Sequence, residues 1–475
     1  MSLLSPSSPE AALIDALAAI VGTRHVLTEP QAMAPHLVEW RGLYRGTARA
    51  VVRPGSTAEV AAVMRLASER RVPVVPQGGN TGLVGGQIPF GDDQIVLSLG
   101  RLDRLRDVDP VTDTIVAEAG VTLQRLREAA DGVDRLFPLS IAAEGSCTIG
   151  GNLATNAGGT AVLAYGNARD LVLGLEVVLA DGRIWNGLGR LRKDNTGYDL
   201  KHLFVGSEGT LGVITAAVLK LFPKPRASAT AFVAVPDPAS AMRILERARG
   251  EAGGALTTFE LMMRRAVEFV LTHGTGVRDP LADTAPWYVL IELTGQDEAA
   301  LAERMEAILG AALEAGEATD AALAASLDQA KAFWRIRDLM SEVQAHEGGS
   351  IKHDIAVPLA AMPAFLDEAI AAVETLVPGC RPAAFGHAGD GNIHFNVSQP
   401  PGADKAAYIA GWEAMNAIVH AIATRLGGSI SAEHGIGILK RNLLPEVKDP
   451  VGLDLMRTLK ASLDPLGILN PGKVL

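Results

Sequence analysis

Two glycine-rich stretches in the first third of the chain constrain its fold more than any other feature. The first reads Pro76-Gln77-Gly78-Gly79-Asn80-Thr81-Gly82-Leu83-Val84-Gly85-Gly86, five glycines in eleven residues, and the second, residues 140–159, reads SIAAEGSCTIGGNLATNAGG. Val72-Pro73-Val74-Val75 precedes the first and reads as a short buried strand. Glycines remove Cβ atoms, so the backbone can turn sharply and bring several N–H groups against one anion. Asn80 and Thr81 add side-chain donors. A lone Gly-Gly pair would read as an ordinary surface loop, whereas two such stretches read as a diphosphate cradle. Neither G-x-x-x-x-G-K-[ST] nor a G-x-G-x-x-G opening a helix after the first strand is present, which argues against a P-loop NTPase and a Rossmann NAD enzyme.

The chain is 475 residues long, too long for one core, so two or three domains are expected. Its 48% apolar and 20% charged composition is that of a soluble globular protein. The absence of an apolar run long enough to span a bilayer leads us to expect no transmembrane segment, and Met1 to Pro9 lacks signal-peptide character. Two cysteines, Cys147 and Cys380, give no disulfide framework, and the cytoplasm is the expected compartment. A net charge of −11 disfavours a nucleic-acid binder but leaves room for a local basic pocket.

Leu13, Ile14, Leu17, Ile20 and Val21 share a helical face over residues 11–21, with Ser8 as N-cap and Pro9 at N1. Ser56 and Glu59 have capping-box spacing for a helix leading into the 72–75 strand. Asp181-Gly182 reads as a hairpin turn between residues 177–180 and 183–185. Pro223 and Pro225 mark a boundary, beyond which come three strand-then-helix units: 231–235 into 238–249, 288–293 into 298–311, and 355–357 into 362–376. The Ala-rich stretch 309–331 reads as helix.

The chemistry-bearing region is Gly386-His387-Ala388-Gly389-Asp390-Gly391-Asn392-Ile393-His394-Phe395-Asn396. With Asp390-Gly391 as a two-residue turn, 387 pairs with 394, which puts His387 and His394 on one face, about 4.5–5.5 Å apart at Cβ. Asn396 falls on that face too. Two imidazoles so placed can share a divalent metal, with Glu433 or His434 of Ser431-Ala432-Glu433-His434-Gly435 supplying a third ligand. A hydrogen-bonded histidine pair around a structural turn is the alternative.

The glycine stretches resemble the FAD-binding domain of the vanillyl-alcohol oxidase/para-cresol methylhydroxylase superfamily, as does Gly206-Ser207-Glu208-Gly209-Thr210-Leu211-Gly212-Val213-Ile214-Thr215, and the resemblance runs on to Leu469-Asn470-Pro471-Gly472-Lys473. It implies an α+β chain: a two-part FAD-binding domain over 1–224, an α/β substrate domain over 225–425, and a C-terminal helical segment over 426–475 that contributes to the active site. FAD, held non-covalently, would be contacted by Pro76, Gly78, Gly79, Asn80, Thr81 and Gly82. The second stretch would add Ser140, Gly145, Ser146, Thr148, Gly150, Gly151, Thr155, Asn156 and Gly158, and Glu208, Gly209, Ile214 and Asn470 complete the set.

GHAGDGNIHFN and SAEHGIG are similar to the FAD-linked D-2-hydroxyacid dehydrogenases. That likeness implies a divalent metal, zinc favoured, on His387, His394 and Glu433, with His434 as active-site base and Asn396 touching substrate. Arg337, Ser341 and Lys352 keep the spacing of substrate-carboxylate contacts in the D-2-hydroxyglutarate branch. Ser341 stands where threonine is common, and His353 where tyrosine is. Two cations sharing one site imply a dicarboxylate: D-2-hydroxyglutarate first, then D-malate, with D-lactate or glycolate as alternatives. The electron acceptor would be an electron-transfer flavoprotein or a quinone-linked carrier, and a homodimer is open. Rival readings are an oxidase and a non-catalytic electron-transfer subunit.

Overall fold

The computed structural model describes residues 9–475; Ser8, the expected N-cap, lies outside them. The chain divides into two compact units. One takes the chain as far as Ala157, then Asn167–Lys224 and Glu433–Leu475; the other takes Gly158–Gly166 and Pro225–Ala432.

In the first unit the opening helix Pro9–Val21 buries Leu13, Leu17 and Val21 at helical spacing. The helix Thr57–Arg70 starts where Ser56 Oγ accepts from the Glu59 N–H at 3.2 Å and the Glu59 carboxylate accepts from the Gly55 N–H at 2.8 Å. It ends at Arg71, in the left-handed region with φ 53°, and the chain drops into the strand Val74–Gln77. That strand closes a four-stranded sheet in the order Val26–Leu27, Ala50–Val52, Ile95–Ser98, Val74–Gln77, with Ile95–Ser98 parallel to both neighbours. A second sheet is antiparallel, in the order Leu105–Asp109, Thr114–Glu118, Val213–Lys220, Val172–Val178, Ile184–Gly187. The hairpin expected at Asp181-Gly182 forms, with Val178 opposite Ile184 and Gly182 at φ 81°. Glu118 and Glu176 both pair with Ala216 of the central strand, and Arg106 bridges their carboxylates at 3.1 and 3.0 Å.

The second unit is built on one seven-stranded antiparallel sheet. Its order is Asp320–Leu323, Ala227–Val235, Trp287–Gly295, Leu256–Met263, Arg381–Gly386, Asn392–Ser398, Ser350–Ala356. Side chains alternate between its faces. Val233, Phe259, Leu261, Ile351, Ile355 and Phe395 face the helices Pro238–Ala252, Glu298–Glu314, Met362–Leu376 and Trp412–Arg425. Phe232, Met262, Tyr288, Leu290 and Phe385 form the opposite core with the helices Arg264–His273 and Leu327–Val343. The three strand-then-helix units are present as expected.

The Ala-rich stretch 309–331 is not one helix. The helix Glu298–Glu314 stops before Gly316, whose φ is 68°, and the chain forms the edge strand Asp320–Leu323 before re-entering helix at Leu327. Pairing along residues 231–234 outweighs the helix preference of alanine there.

Candidate active site

The two glycine stretches meet in the first unit. A Cβ on Gly79 would lie 1.9 Å from the Ser146 carbonyl oxygen, and one on Gly78 would lie 2.4 Å from Thr148 Oγ1. A Cβ on Gly150 would lie 2.6 Å from that of Ala119. Only glycine lets these backbones approach. A Cβ on Gly209 would lie 3.2 Å from the Pro76 ring, so the third motif lies against the first. Asn80 Nδ2 donates to the carbonyls of Pro35 and Val38, Thr155 Oγ1 to that of Gly151, and Ser140 Oγ to the Glu144 carboxylate. Ile214 is buried in the strand Val213–Lys220, whereas Gly158 belongs to the second unit.

Two observations fit a cofactor carrying both donors and acceptors. Thr148 Oγ1, Asn80 Oδ1 and Asn470 Oδ1 are buried and lack a protein hydrogen-bond partner. Asn80, Asn156, Glu208 and Asn470 are non-glycine residues at positive φ, between 42° and 56°. Such strain concentrates at binding sites.

Asn470 Nδ2 donates to the carbonyls of Gly86 (3.0 Å) and Glu208 (2.8 Å). The Glu208 carboxylate accepts from the N–H groups of Ile436 (2.7 Å) and Gly437 (2.8 Å), and burial pushes its carboxyl up. Its side chain therefore holds the glycine loop that follows His434.

In the second unit the histidine hairpin differs from the expected register. Phe385, not His387, lies opposite His394, and the turn spans 387–391. Gly386, at φ 155°, ends the strand there, and a Cβ on it would meet the Asn392 carbonyl oxygen at 2.7 Å. The slip is two residues, so side-chain parity and face are kept. The two imidazoles still meet edge to face, with centroids 5.7 Å apart.

Glu260, which sequence reasoning missed, organises this face. Its side chain is 0% exposed; Oε1 lies 2.6 Å from His387 Nδ1, and Oε2 accepts from Arg337 Nε at 2.5 Å. Burial alone would push the carboxyl up, but the Arg337 guanidinium and the His387 imidazole beside it pull it down to about 2. An acid inside Leu256-Thr257-Thr258-Phe259-Glu260-Leu261-Met262-Met263, an otherwise uncharged strand, was its signal.

Arg337 sits on the helix Leu327–Val343, its guanidinium 5.0 Å over the Phe385 ring. Ser341 lies one turn on, exposed, and its carbonyl accepts from Lys352 Nζ at 3.2 Å. Lys352 pairs across the sheet with Asn396, which donates to Gln344 Oε1, and the next rung on that face pairs Asp354 with His394. His353 faces the helix Trp412–Arg425, its ring beside Phe395 and His420 and its Nδ1 2.6 Å from the Phe395 carbonyl oxygen, so the departure from tyrosine falls away from the Lys352 face. The expected surplus of buried cations is absent: Glu260 answers Arg337, and Lys352 is exposed. The inference of a dicarboxylate from charge counting loses its basis.

The chain leaves the second unit at Ala432, whose N–H donates to the Asp354 carbonyl at 3.3 Å, and Glu433 and His434 are the next two residues.

An FAD binding domain family matches residues 48–187, and the FAD linked oxidases, C-terminal domain, match residues 224–474. A mitochondrial D-2-hydroxyglutarate dehydrogenase of Bos taurus is 40% identical over 95% of this chain and 81% of its own length. A D-2-hydroxyglutarate dehydrogenase of Xanthomonas citri is 38% identical over 94% of this chain and 93% of its own length. Among solved structures, 4-ethylphenol oxidase from Gulosibacter chungangensis has a TM-score of 0.76 at 20% identity, covering 100% of this chain and 98% of that one, a likeness of fold. The chain is an FAD-linked oxidoreductase and belongs to the family of the FAD-linked D-2-hydroxyacid dehydrogenases.

Proposed function

We propose that the chain oxidises a D-2-hydroxy acid to the 2-oxo acid, D-2-hydroxyglutarate first and D-malate next, with help from a divalent cation, zinc favoured. The observation that carries this reading is the gathering of Arg337, Lys352, Asn396, His387 and His394 about one sheet face. It occurs in a chain whose relatives over 94–96% of its length are named D-2-hydroxyglutarate dehydrogenases.

Lys352 and Arg337 anchor carboxylate groups of the substrate. Nε of Arg337 is committed to Glu260, so substrate pairing falls to Nη1 and Nη2. Asn396, its amide nitrogen held by Gln344, presents its oxygen to the substrate. His387, His394 and Glu433 would hold the cation, which would supply Lewis acidity at the substrate hydroxyl. FAD, held by the two glycine stretches, would supply a two-electron acceptor for the hydride equivalent lost from the substrate Cα. His434 takes the hydroxyl proton at a ring nitrogen. Electrons leave to an electron-transfer flavoprotein or quinone-linked carrier. Both cysteines are buried and free, which supports a reducing compartment such as the cytoplasm.

The test is a panel of D- and L-2-hydroxy acids assayed with an artificial electron acceptor, with and without chelator. We expect turnover of D-2-hydroxyglutarate, weaker turnover of D-malate, and loss with chelator that Zn²⁺ restores. Preference for an L-enantiomer or for D-lactate would overturn the substrate assignment, and chelator-insensitive turnover would overturn the role of the cation.

A further inference from the structure

The geometry points to Glu260 as a positioning residue that couples the cation site to the substrate-carboxylate site. It selects the nitrogen that His387 offers to the cation and, with its other oxygen, aims Arg337. This rests on the cation reading above and goes beyond it, because it makes the two sites interdependent.

An ionised carboxylate only accepts hydrogen bonds. Oε1 at 2.6 Å from His387 Nδ1 therefore keeps the proton on Nδ1 and leaves the Nε2 lone pair for a metal. Oε2 accepts from Arg337 Nε, a donor in every protonation state, and the Glu260 side chain is fully buried. Both oxygens are thus required as acceptors. A glutamine would keep one and turn an NH₂ towards a second N–H.

The contacts close into a ring. Arg337 lies 5.0 Å over Phe385, the Phe385 ring is 5.3 Å from His394, and His394 is 5.7 Å from His387, which returns to Glu260. Turning the Arg337 guanidinium, as a substrate carboxylate would, pulls on the carboxylate that sets His387. Filling either site thus favours the arrangement the other needs.

The experiment titrates Zn²⁺ into metal-stripped, FAD-loaded protein and compares wild type with E260Q, E260L/R337M and H387A. We expect E260Q to weaken Zn²⁺ binding about 10- to 100-fold, the usual cost of losing the group that orients a ligating histidine. FAD content should be unchanged, and at saturating Zn²⁺ the KM for D-2-hydroxyglutarate should rise more than kcat falls. Should E260Q fold poorly with Arg337 uncompensated, the double variant decides, since apolar replacement of a buried pair is often neutral for stability. It should show the same loss of Zn²⁺ affinity. Wild-type Zn²⁺ affinity in either variant, with H387A impaired, would overturn the role of Glu260 alone. Wild-type affinity in H387A would overturn the cation site and this inference together.

Discussion

Lys352 and Arg337 carry the same charge but are held differently, and that decides which of them reports on the substrate. Lys352 is exposed and bonded to a backbone carbonyl, whereas Arg337 is locked to a buried carboxylate. We expect Lys352→Ala to lower kcat/KM for D-2-hydroxyglutarate by about 10- to 100-fold, the range of a lost charged hydrogen bond. D-lactate turnover, melting temperature and Zn²⁺ affinity should stay near wild type; equal losses on both substrates would place Lys352 at the shared α-carboxylate. Arg337→Ala strands Glu260 without its cation, at a cost of roughly 3–5 kcal/mol, so its activity loss should come with a lower melting temperature. Sequence exposed the residues that sit in motifs: His387, His394, Arg337 and Lys352 gather in the second unit. Glu260 stayed hidden because nothing in its local pattern says which residues it will face.

At the scale of elements, the two glycine loops depend on absent side chains. Gly79→Ala would drive a methyl group into the Ser146 carbonyl, 1.9 Å away, and the backbone there cannot yield cheaply. We expect that variant to be purified nearly free of FAD while the second unit stays folded, as absorbance at 450 nm and limited proteolysis would show. Thr148→Val, which removes only the buried hydroxyl, should weaken FAD by about tenfold, near the 1–3 kcal/mol of an unmet hydrogen bond. The first unit's antiparallel sheet carries its own pH dependence. Burial pushes the Glu118 carboxyl up, but Arg104 and Arg106 bring it below its ordinary range. A depressed carboxyl stabilises the fold above the ordinary carboxylate range and loses that contribution as pH falls through its folded value. Glu118→Gln should therefore melt lower than wild type at pH 7, with the gap narrowing towards pH 3; a gap independent of pH would mean that packing, not charge, is responsible. Turn chemistry was the least legible element. Asp390-Gly391 has the composition of a two-residue turn, yet Gly386 ends the strand early and the hairpin closes through five residues. The histidines still meet because an even slip preserves parity.

For the whole molecule, fold class was readable because the glycine loops need close backbone approaches that few folds supply. The partition was less so: Gly158–Gly166 joins the second unit although its neighbours on both sides belong to the first. Such a crossing leaves no mark in composition or periodicity. Substrate identity rests on the relatives more than on charge, since Glu260 already balances Arg337. The most direct measurement is anaerobic mixing of the FAD-loaded, Zn²⁺-loaded protein with one equivalent of D-2-hydroxyglutarate, following flavin absorbance at 450 nm. We expect rapid bleaching with the D-enantiomer, none with the L-enantiomer, and loss of the D-response after chelation with recovery on added Zn²⁺. A flavin that stays yellow with D-2-hydroxyglutarate, or bleaches equally well without metal, would contradict metal-assisted oxidation of this substrate.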